Sequence, residues 1–114
     1  MAIILDDHCA EQGTYHVVCE FEDEDGAGNA PTALTWTLTD PDGEIVNGRQ
    51  DVSVGAPATS NTITIGPGTD TALIAGKKHE RHFLIEWTYN STFGTGLRSS
   101  EEAIFIIDPR LGVS

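Results

Sequence analysis

Apolar and polar residues alternate over several short segments of this chain, and that alternation is the feature that most restricts its fold. In residues 14–22, the apolar side chains occupy every second position, at Tyr15, Val17, Cys19 and Phe21. A β-strand turns successive side chains to opposite faces, so a period of two indicates a strand with one buried face. The segment therefore predicts a half-buried strand.

Further segments show the same alternation or an apolar run of strand length. Turn residues separate them, as at Pro41 and Gly43, which suit the first corner and the end of a turn. No segment repeats apolar residues at the spacing of a long amphipathic helix. The segments are residues 34–39, 45–54, 62–65, 82–89 and 103–108.

Six to eight short strands separated by turns predict an all-β fold, an antiparallel sandwich of the immunoglobulin or fibronectin type III kind. A length of 114 residues suits one domain. We assign residues 1–13 to an N-terminal arm or first edge strand, residues 14–109 to the sandwich and residues 110–114 to a C-terminal tail. The predicted core consists of Val17, Phe21, Leu34, Trp36, Leu38, Ile63, Phe83, Ile85, Trp87, Tyr89 and Phe105.

The charge of the chain restricts its partners. Eighteen acidic against six basic residues give a formal net charge of −12, which repels phosphate backbones and anionic membrane surfaces. We therefore expect neither direct nucleic-acid binding nor membrane binding. The first residues carry no basic segment and only a short apolar run, so we expect a protein that is made in the cytoplasm without a signal peptide.

Motifs of catalysis are missing from the sequence. It contains no nucleophile elbow, no phosphate-binding loop and no paired His-Glu metal motif. Asp and Glu residues fall on predicted loops and outward faces, where solvation explains them. We therefore expect no enzymatic activity, no cofactor and no small-molecule substrate.

Two acidic loops form the weaker hypothesis of a calcium site. Asp23 and Asp25 lie in one loop and Asp40 and Asp42 in another, and carboxylate oxygens from two convergent loops are suitable calcium ligands. No twelve-residue EF-hand loop is present. Acidic turns that face water are therefore the preferred interpretation, and no metal is predicted.

Two stretches carry a resemblance to a known group of proteins. Residues 35–43 read TWTLTDPDG and are followed by IVNGR at residues 45–49; residues 83–89 read FLIEWTY and precede Gly94, Gly96 and Leu97. This pattern resembles small immunoglobulin-like proteins encoded among the virion genes of tailed bacteriophages and prophages. The resemblance implies a structural accessory of the particle, at the head or the head-to-tail neck, made in the bacterial host cytoplasm. Its implied partners are other virion proteins or further copies of itself.

A soluble recognition module is the alternative hypothesis. Such a module of immunoglobulin-like fold would bind a carbohydrate or a host protein through its loops. Sugar binding usually needs exposed aromatic side chains beside acids or amides, and only Phe93 is an obvious loop aromatic. The loop composition therefore favours assembly over sugar recognition.

A candidate interface lies on the outward phase of the last two long strands. If a hairpin at Gly94-Thr95-Gly96 pairs them, their outward apolar side chains form one patch. Monomers seldom leave a large patch bare, so another subunit, the chain's own N-terminal triplet Ile3-Ile4-Leu5 or its C-terminal Leu111-Gly112-Val113 should cover it. We favour another subunit, because an acidic, flexible segment follows the triplet. The candidate interface residues are Ile3, Ile4, Leu5, Leu84, Ile104 and Ile106.

Overall fold

In a computed structural model, which describes residues 2–5 and 7–109, and residues 2–4 by their backbone alone, the chain is all-β. No α-helix occurs among these residues, and none of them forms a helix long and apolar enough to cross a membrane. A single 3-10 turn spans Thr69–Thr71. The strands are β1 (Ala2–Ile4), β2 (Cys9–Ala10), β3 (Tyr15–Glu20), β4 (Ala33–Thr39), β5 (Val52–Ser53), β6 (Ser60–Ile65), β7 (Glu80–Ser91) and β8 (Gly94–Asp108).

The strands form two sheets of unequal size. The larger sheet is curled and has the order β1-β8-β7-β4-β5, with β2 also paired to β8; the smaller sheet contains β3 and β6. The prediction of an all-β fold is confirmed. The larger sheet, however, is mixed rather than antiparallel, because β1 and β2 run parallel to β8 while its other pairs are antiparallel.

The core lies where the smaller sheet packs on the larger one. Tyr15 of β3 stacks on Phe105 of β8 with ring centroids 4.2 Å apart, and Phe21 meets Trp87 edge to face at 4.9 Å. Every predicted core residue is buried except Trp87, which is partly buried against the core, and Tyr89. The buried residues that the prediction missed are Cys9, Tyr15, Val46, Ile65 and Ile107.

Tyr89 is a correction to the predicted core. Its side chain is only partly buried, and its hydroxyl donates a hydrogen bond of 3.1 Å to Oε2 of Glu24. The strand phase of Tyr89 is the one predicted, but β7 at this point has passed the smaller sheet. Alternation gives the face of a side chain, and burial needs a second layer over that face.

The hairpin between β7 and β8 turns two residues earlier than predicted. Ser91 pairs with Gly94, so the turn is made by Thr92 and Phe93. The register shifts between Tyr89 and Ser91. Gly96 has a φ of +63°, which favours glycine, and its N–H donates to the side chain of Asn90 at 2.9 Å. Gly94 and Gly96 therefore lie in the irregular first residues of β8. Phe93, at the tip of the hairpin, is 70% exposed.

Trp36 tests the core. Its ring lies 5.8 Å from that of Phe83, and replacement by alanine leaves a cavity between β4 and β7. Trp36→Ala should lower the free energy of unfolding by about 3–5 kcal/mol, measured by urea denaturation. Val18→Ala, at a position 61% exposed, is the control and should change it by less than about 0.5 kcal/mol. An equal midpoint for the two variants would contradict this core.

Candidate functional site

The acidic loop after β4 is neutralised by a lysine. Oδ1 of Asp40 accepts the backbone N–H groups of Asp42 at 2.9 Å and Glu44 at 3.1 Å. Lys77 Nζ lies 2.6 Å from Asp40, 3.2 Å from Asp42 and 3.3 Å from Glu44. The hydrogen bond from Lys77 holds the pKa of Asp40 below its usual value. The ammonium group thus occupies the position that a cation would take between these carboxylates.

The other acidic loop lies at the far end of β4. Oδ1 of Asp23 accepts the N–H groups of Asp25 at 2.9 Å and Ala27 at 3.0 Å, which closes the loop on itself. Its neighbour Glu24 bonds Tyr89, near the end of β7 that pairs with the start of β4, whereas Asp40 follows the last residue of β4. Seven strand residues separate the two ends by about 20 Å.

The hypothesis that the two acidic loops converge on calcium is therefore wrong. Asp23 and Asp25 do not approach Asp40 and Asp42. Within residues 2–5 and 7–109, no group of three or more His, Cys, Asp or Glu side chains is arranged to hold a metal ion. Asp23 accepts backbone N–H groups of its own loop, and Lys77 pairs with Asp40 and Asp42.

Calcium should leave the melting temperature unchanged. A ligand that binds only the native state raises its stability by mass action, but Lys77 already balances the Asp40 loop. We expect no measurable shift by differential scanning fluorimetry in millimolar calcium, with magnesium as the control. A rise of several degrees that disappears in Asp40→Asn would contradict this interpretation.

Asp70 is the centre of a buried polar cluster that the sequence did not reveal. Its side chain is 1% exposed and accepts hydrogen bonds from Asn47 Nδ2 at 2.9 Å, Arg49 Nε at 3.1 Å and the N–H of Gly66 at 2.9 Å. These bonds tie the loop after β4 and the end of β6 to the 3-10 turn. Burial raises the pKa of Asp70, but the hydrogen bonds outweigh it, so the pKa is lowered.

Arg81 donates hydrogen bonds to backbone carbonyl groups at the same 3-10 turn. Its side chain is 1% exposed, and Nε donates to the carbonyl oxygen of Asp70 at 2.9 Å while Nη2 donates to that of Ala72. Burial lowers the pKa of this guanidinium, and Asp40 and Asp70 act against that effect. No buried side-chain nitrogen or oxygen of the described residues lacks a partner. The cluster is therefore saturated and structural.

The stability of the chain should fall in acid partly through Asp70. An unfolded aspartate has a pKa of about 3.9, and the folded value is lower. Such a carboxyl stabilises the fold fully when the pH is above its pKa in the unfolded chain. The contribution is lost as the pH falls through its lower pKa in the folded chain. Unfolding free energies of the wild type should therefore decrease below about pH 4.

Asp70→Asn isolates this effect. The asparagine side chain has one acceptor oxygen in place of two, and its NH₂ group faces donors that the carboxylate accepted. The variant should therefore be about 1–3 kcal/mol less stable at neutral pH, and it should lose less stability on acidification. Asp40, whose pKa is also lowered, preserves part of the acid dependence. Asp25→Asn, at an exposed side chain, is the control. An unchanged pH profile in Asp70→Asn would contradict the assignment.

Three of the predicted interface residues, Leu84, Ile104 and Ile106, lie on the outer face of β7 and β8. Leu84 pairs with Glu102, and Ile104 and Ile106 pair with His82 and Glu80. All three apolar side chains are partly buried. They lie diagonally along the hairpin and form a narrow apolar strip, which we call the outer strip.

The N-terminal triplet is placed differently from the expectation. Ile3 pairs with Ala103 and Ile4 with Ile104, both through the backbone of β1; the side chains of these two residues lie outside the described part. The N–H of Leu5 donates to the carbonyl of Ile104 at 2.8 Å, and Leu5 packs partly buried against the core. The backbone of β1 thus pairs with β8 of its own chain. Contact of the outer strip with another subunit stays a prediction, and Leu111-Gly112-Val113 lies outside the described residues.

A groove of about 360 Å³ opens between β3 and residues 101–103 of β8. Phe83, Ile85 and Trp87 of β7 lie at its base. Acidic side chains line its rim, and the sequence analysis missed it. The residues that line the groove are Leu5, Val17, Val18, Cys19, Glu20, Phe21, Glu22, Phe83, Ile85, Trp87, Glu101, Glu102 and Ala103.

One edge of β3 is free beside this groove. The N–H of Phe21 donates to Thr59 at 2.8 Å across from it, and the register continues through Cys19 with Asn61. Antiparallel partners alternate between bonded and non-bonded pairs, so the backbone groups of His16, Val18 and Glu20 point away from β6. No other described residue provides a hydrogen bond to them.

Among the described residues, Cys19 is the one cysteine whose side chain lines the groove. Burial, together with the charge of Glu101, raises the pKa of its thiol to about 11. A thiol at that pKa is a poor nucleophile at neutral pH. The surroundings of Cys19 are apolar side chains and strand backbone, which suit contact with a peptide.

No family model, curated protein or solved structure matches this chain. The function is therefore inferred from the surfaces and polar contacts of the chain itself.

Proposed function

We propose that this chain is a non-enzymatic docking module of immunoglobulin-like sandwich type, and that it serves as a structural accessory of a tailed-phage virion. Its place would be the head or the head-to-tail neck. The observation that supports docking is the outer strip of Leu84, Ile104 and Ile106. The virion is the assembly that the sequence resemblance suggests.

The outer strip lies on a rigid part of the fold. Leu84 belongs to a strand that is paired on both sides, with β4 and β8, and Ile104 is paired with both β7 and β1. Little backbone ordering is therefore needed when a partner covers the strip, which lowers the cost of binding.

A narrow strip binds weakly on its own, and symmetry compensates for this weakness. Each partly buried aliphatic side chain has only part of its surface left to remove from water. Several copies on a symmetric particle gain avidity without any new contact. The net charge of −12 opposes direct packing of copies against each other, so a less acidic virion protein is the favoured partner.

A recognition module remains the second candidate function, on the strength of Phe93. This side chain is 70% exposed at the tip of the β7–β8 hairpin. An exposed ring on a projecting turn suits stacking on a sugar or insertion into a host protein. Phe93→Ala should abolish such binding and leave particle incorporation unchanged.

The outer strip should be required for incorporation into particles. Leu84→Ser combined with Ile104→Ser removes two of its apolar side chains, and we expect a large loss of copies per purified particle, counted by quantitative mass spectrometry. Glu86→Ser, an exposed outer-face change on the same strand, is the matched control and should incorporate normally. Circular dichroism and thermal unfolding establish that each variant is folded.

The possible outcomes separate the hypotheses. Loss of incorporation with an intact fold supports docking through the outer strip. Full incorporation of the folded double variant contradicts it. A gene that lies in a host metabolic operon, rather than among portal, capsid and tail genes, would contradict the virion role.

A further inference from the structure

We propose that the groove between β3 and β8 accepts an extended, lysine- or arginine-bearing segment of a partner protein, which adds to the free edge of β3 as a new strand. This site is distinct from the outer strip on the opposite face of the larger sheet. Three independent features of the groove carry the inference: its backbone, its apolar base and its charge.

The backbone of β3 offers a strand-sized row of unused hydrogen-bonding groups. His16, Val18 and Glu20 direct their N–H and C=O groups away from β6. Such an edge is a template for another strand. An added peptide gains affinity from main-chain bonds and specificity from pockets for alternate side chains.

The base of the groove provides those pockets. Cys19 of β3 and Ala103 of β8 both line the groove, and both side chains are partly buried. Trp87, at the base, is only partly buried although it packs against Phe21. The smaller sheet therefore stops short of covering the larger one, and a strand beside β3 would place every second side chain over the remaining apolar surface.

The charge of the rim selects the partner. Glu20, Glu22 and Glu101 are all exposed, and none of them forms an ion pair within the described part of the chain. No lysine or arginine lines the groove. Complementary charge steers association and suppresses wrong partners, so the expected occupant carries lysine or arginine at the positions between its apolar residues.

A second copy of this chain is a poorer occupant. Two copies with a net charge of −12 each repel one another. Glu20, Glu22 and Glu101 at the rim would then face an equally acidic molecule. The groove therefore fits a cationic strand from a different protein.

A defined peptide tests the site. The probe is a fluorescein-labelled peptide in which lysine and valine alternate, and binding to the full chain is measured by fluorescence anisotropy. Amide hydrogen exchange, followed by NMR, should show slower exchange at Val18 and at Glu20 when the peptide is bound, because their N–H groups then donate to the added strand. Cys19 should react more slowly with iodoacetamide.

Matched controls separate strand addition from simple attraction. A peptide with glutamate in place of lysine should not bind. A peptide methylated at the alternate backbone nitrogens that face β3 should bind at least about tenfold more weakly, since it can no longer donate N–H hydrogen bonds to the edge. Glu20→Lys combined with Glu101→Lys should weaken binding about tenfold, whereas Glu86→Lys, outside the groove, should change it little.

Val18→Pro blocks the edge itself. Its N–H points away from β6, where proline is tolerated in an edge strand, so the variant should fold and fail to bind; Phe93→Ala, outside the groove, should bind normally. If Val18→Pro is unfolded, the methylated peptide gives the same test on the wild type.

Several results would overturn the inference. Absence of binding, binding without protection of Val18 and Glu20, or equal binding of the methylated peptide would do so. Self-association of the wild type in analytical ultracentrifugation that Val18→Pro abolishes would assign the edge to a second copy instead. These outcomes do not depend on the outer strip, whose variants should bind the peptide normally.

Discussion

Backbone pairing of β8 with three other strands is the constraint on which the rest of the structure depends. β7 reaches β8 through a two-residue turn, and β1 and β2 arrive from the other end of the chain to run parallel along the opposite edge. β1 and β2 pair with β8 and not with β3. Among the described residues, β3 pairs with β6 alone, so its other edge has no strand partner.

The Asp70 and Arg81 cluster fixes how the remaining loops close over the sheets. Asp70 draws in Asn47, Arg49 and the backbone of Gly66, while Arg81 bonds carbonyl groups on the far side of the same turn. Buried charges are costly unless every polar atom has a partner. Because the donors come from separate loops, they are satisfied together only in the folded chain. The cluster thus specifies one arrangement of these loops.

The sequence predicts the strands well and their partners poorly. The alternation in residues 14–22 and 34–39 gave both the strands and the buried face, because a period of two is a local property. The prediction that Tyr89 belongs to the core was wrong, because its burial depends on where the smaller sheet ends. The hairpin turn lies before the predicted position, because Gly94 and Gly96 belong to the irregular start of β8 and not to the turn. The two acidic loops do not meet, because the length of β4 separates them.

The candidate site escaped prediction for a similar reason. Glu20, Glu101 and Cys19 are ordinary strand residues in the sequence, and they line one groove because β3 lies beside β8 without pairing with it. Leu84, Ile104 and Ile106 were placed correctly on the outer face, since alternation decides that point. No local pattern, however, indicates which edge a distant N-terminal segment will join.

An open strand edge is normally a hazard, because it invites pairing with any other exposed strand. Here the groove beside the edge is rimmed by glutamates, and a copy of the same chain carries the same charge. The acidic side chains therefore discourage self-association and at the same time favour a basic strand. Val18 is 61% exposed on this strand, so the edge carries apolar surface between the exposed side chains of His16 and Glu20. An arrangement of this kind keeps β3 free until a strand of opposite charge arrives.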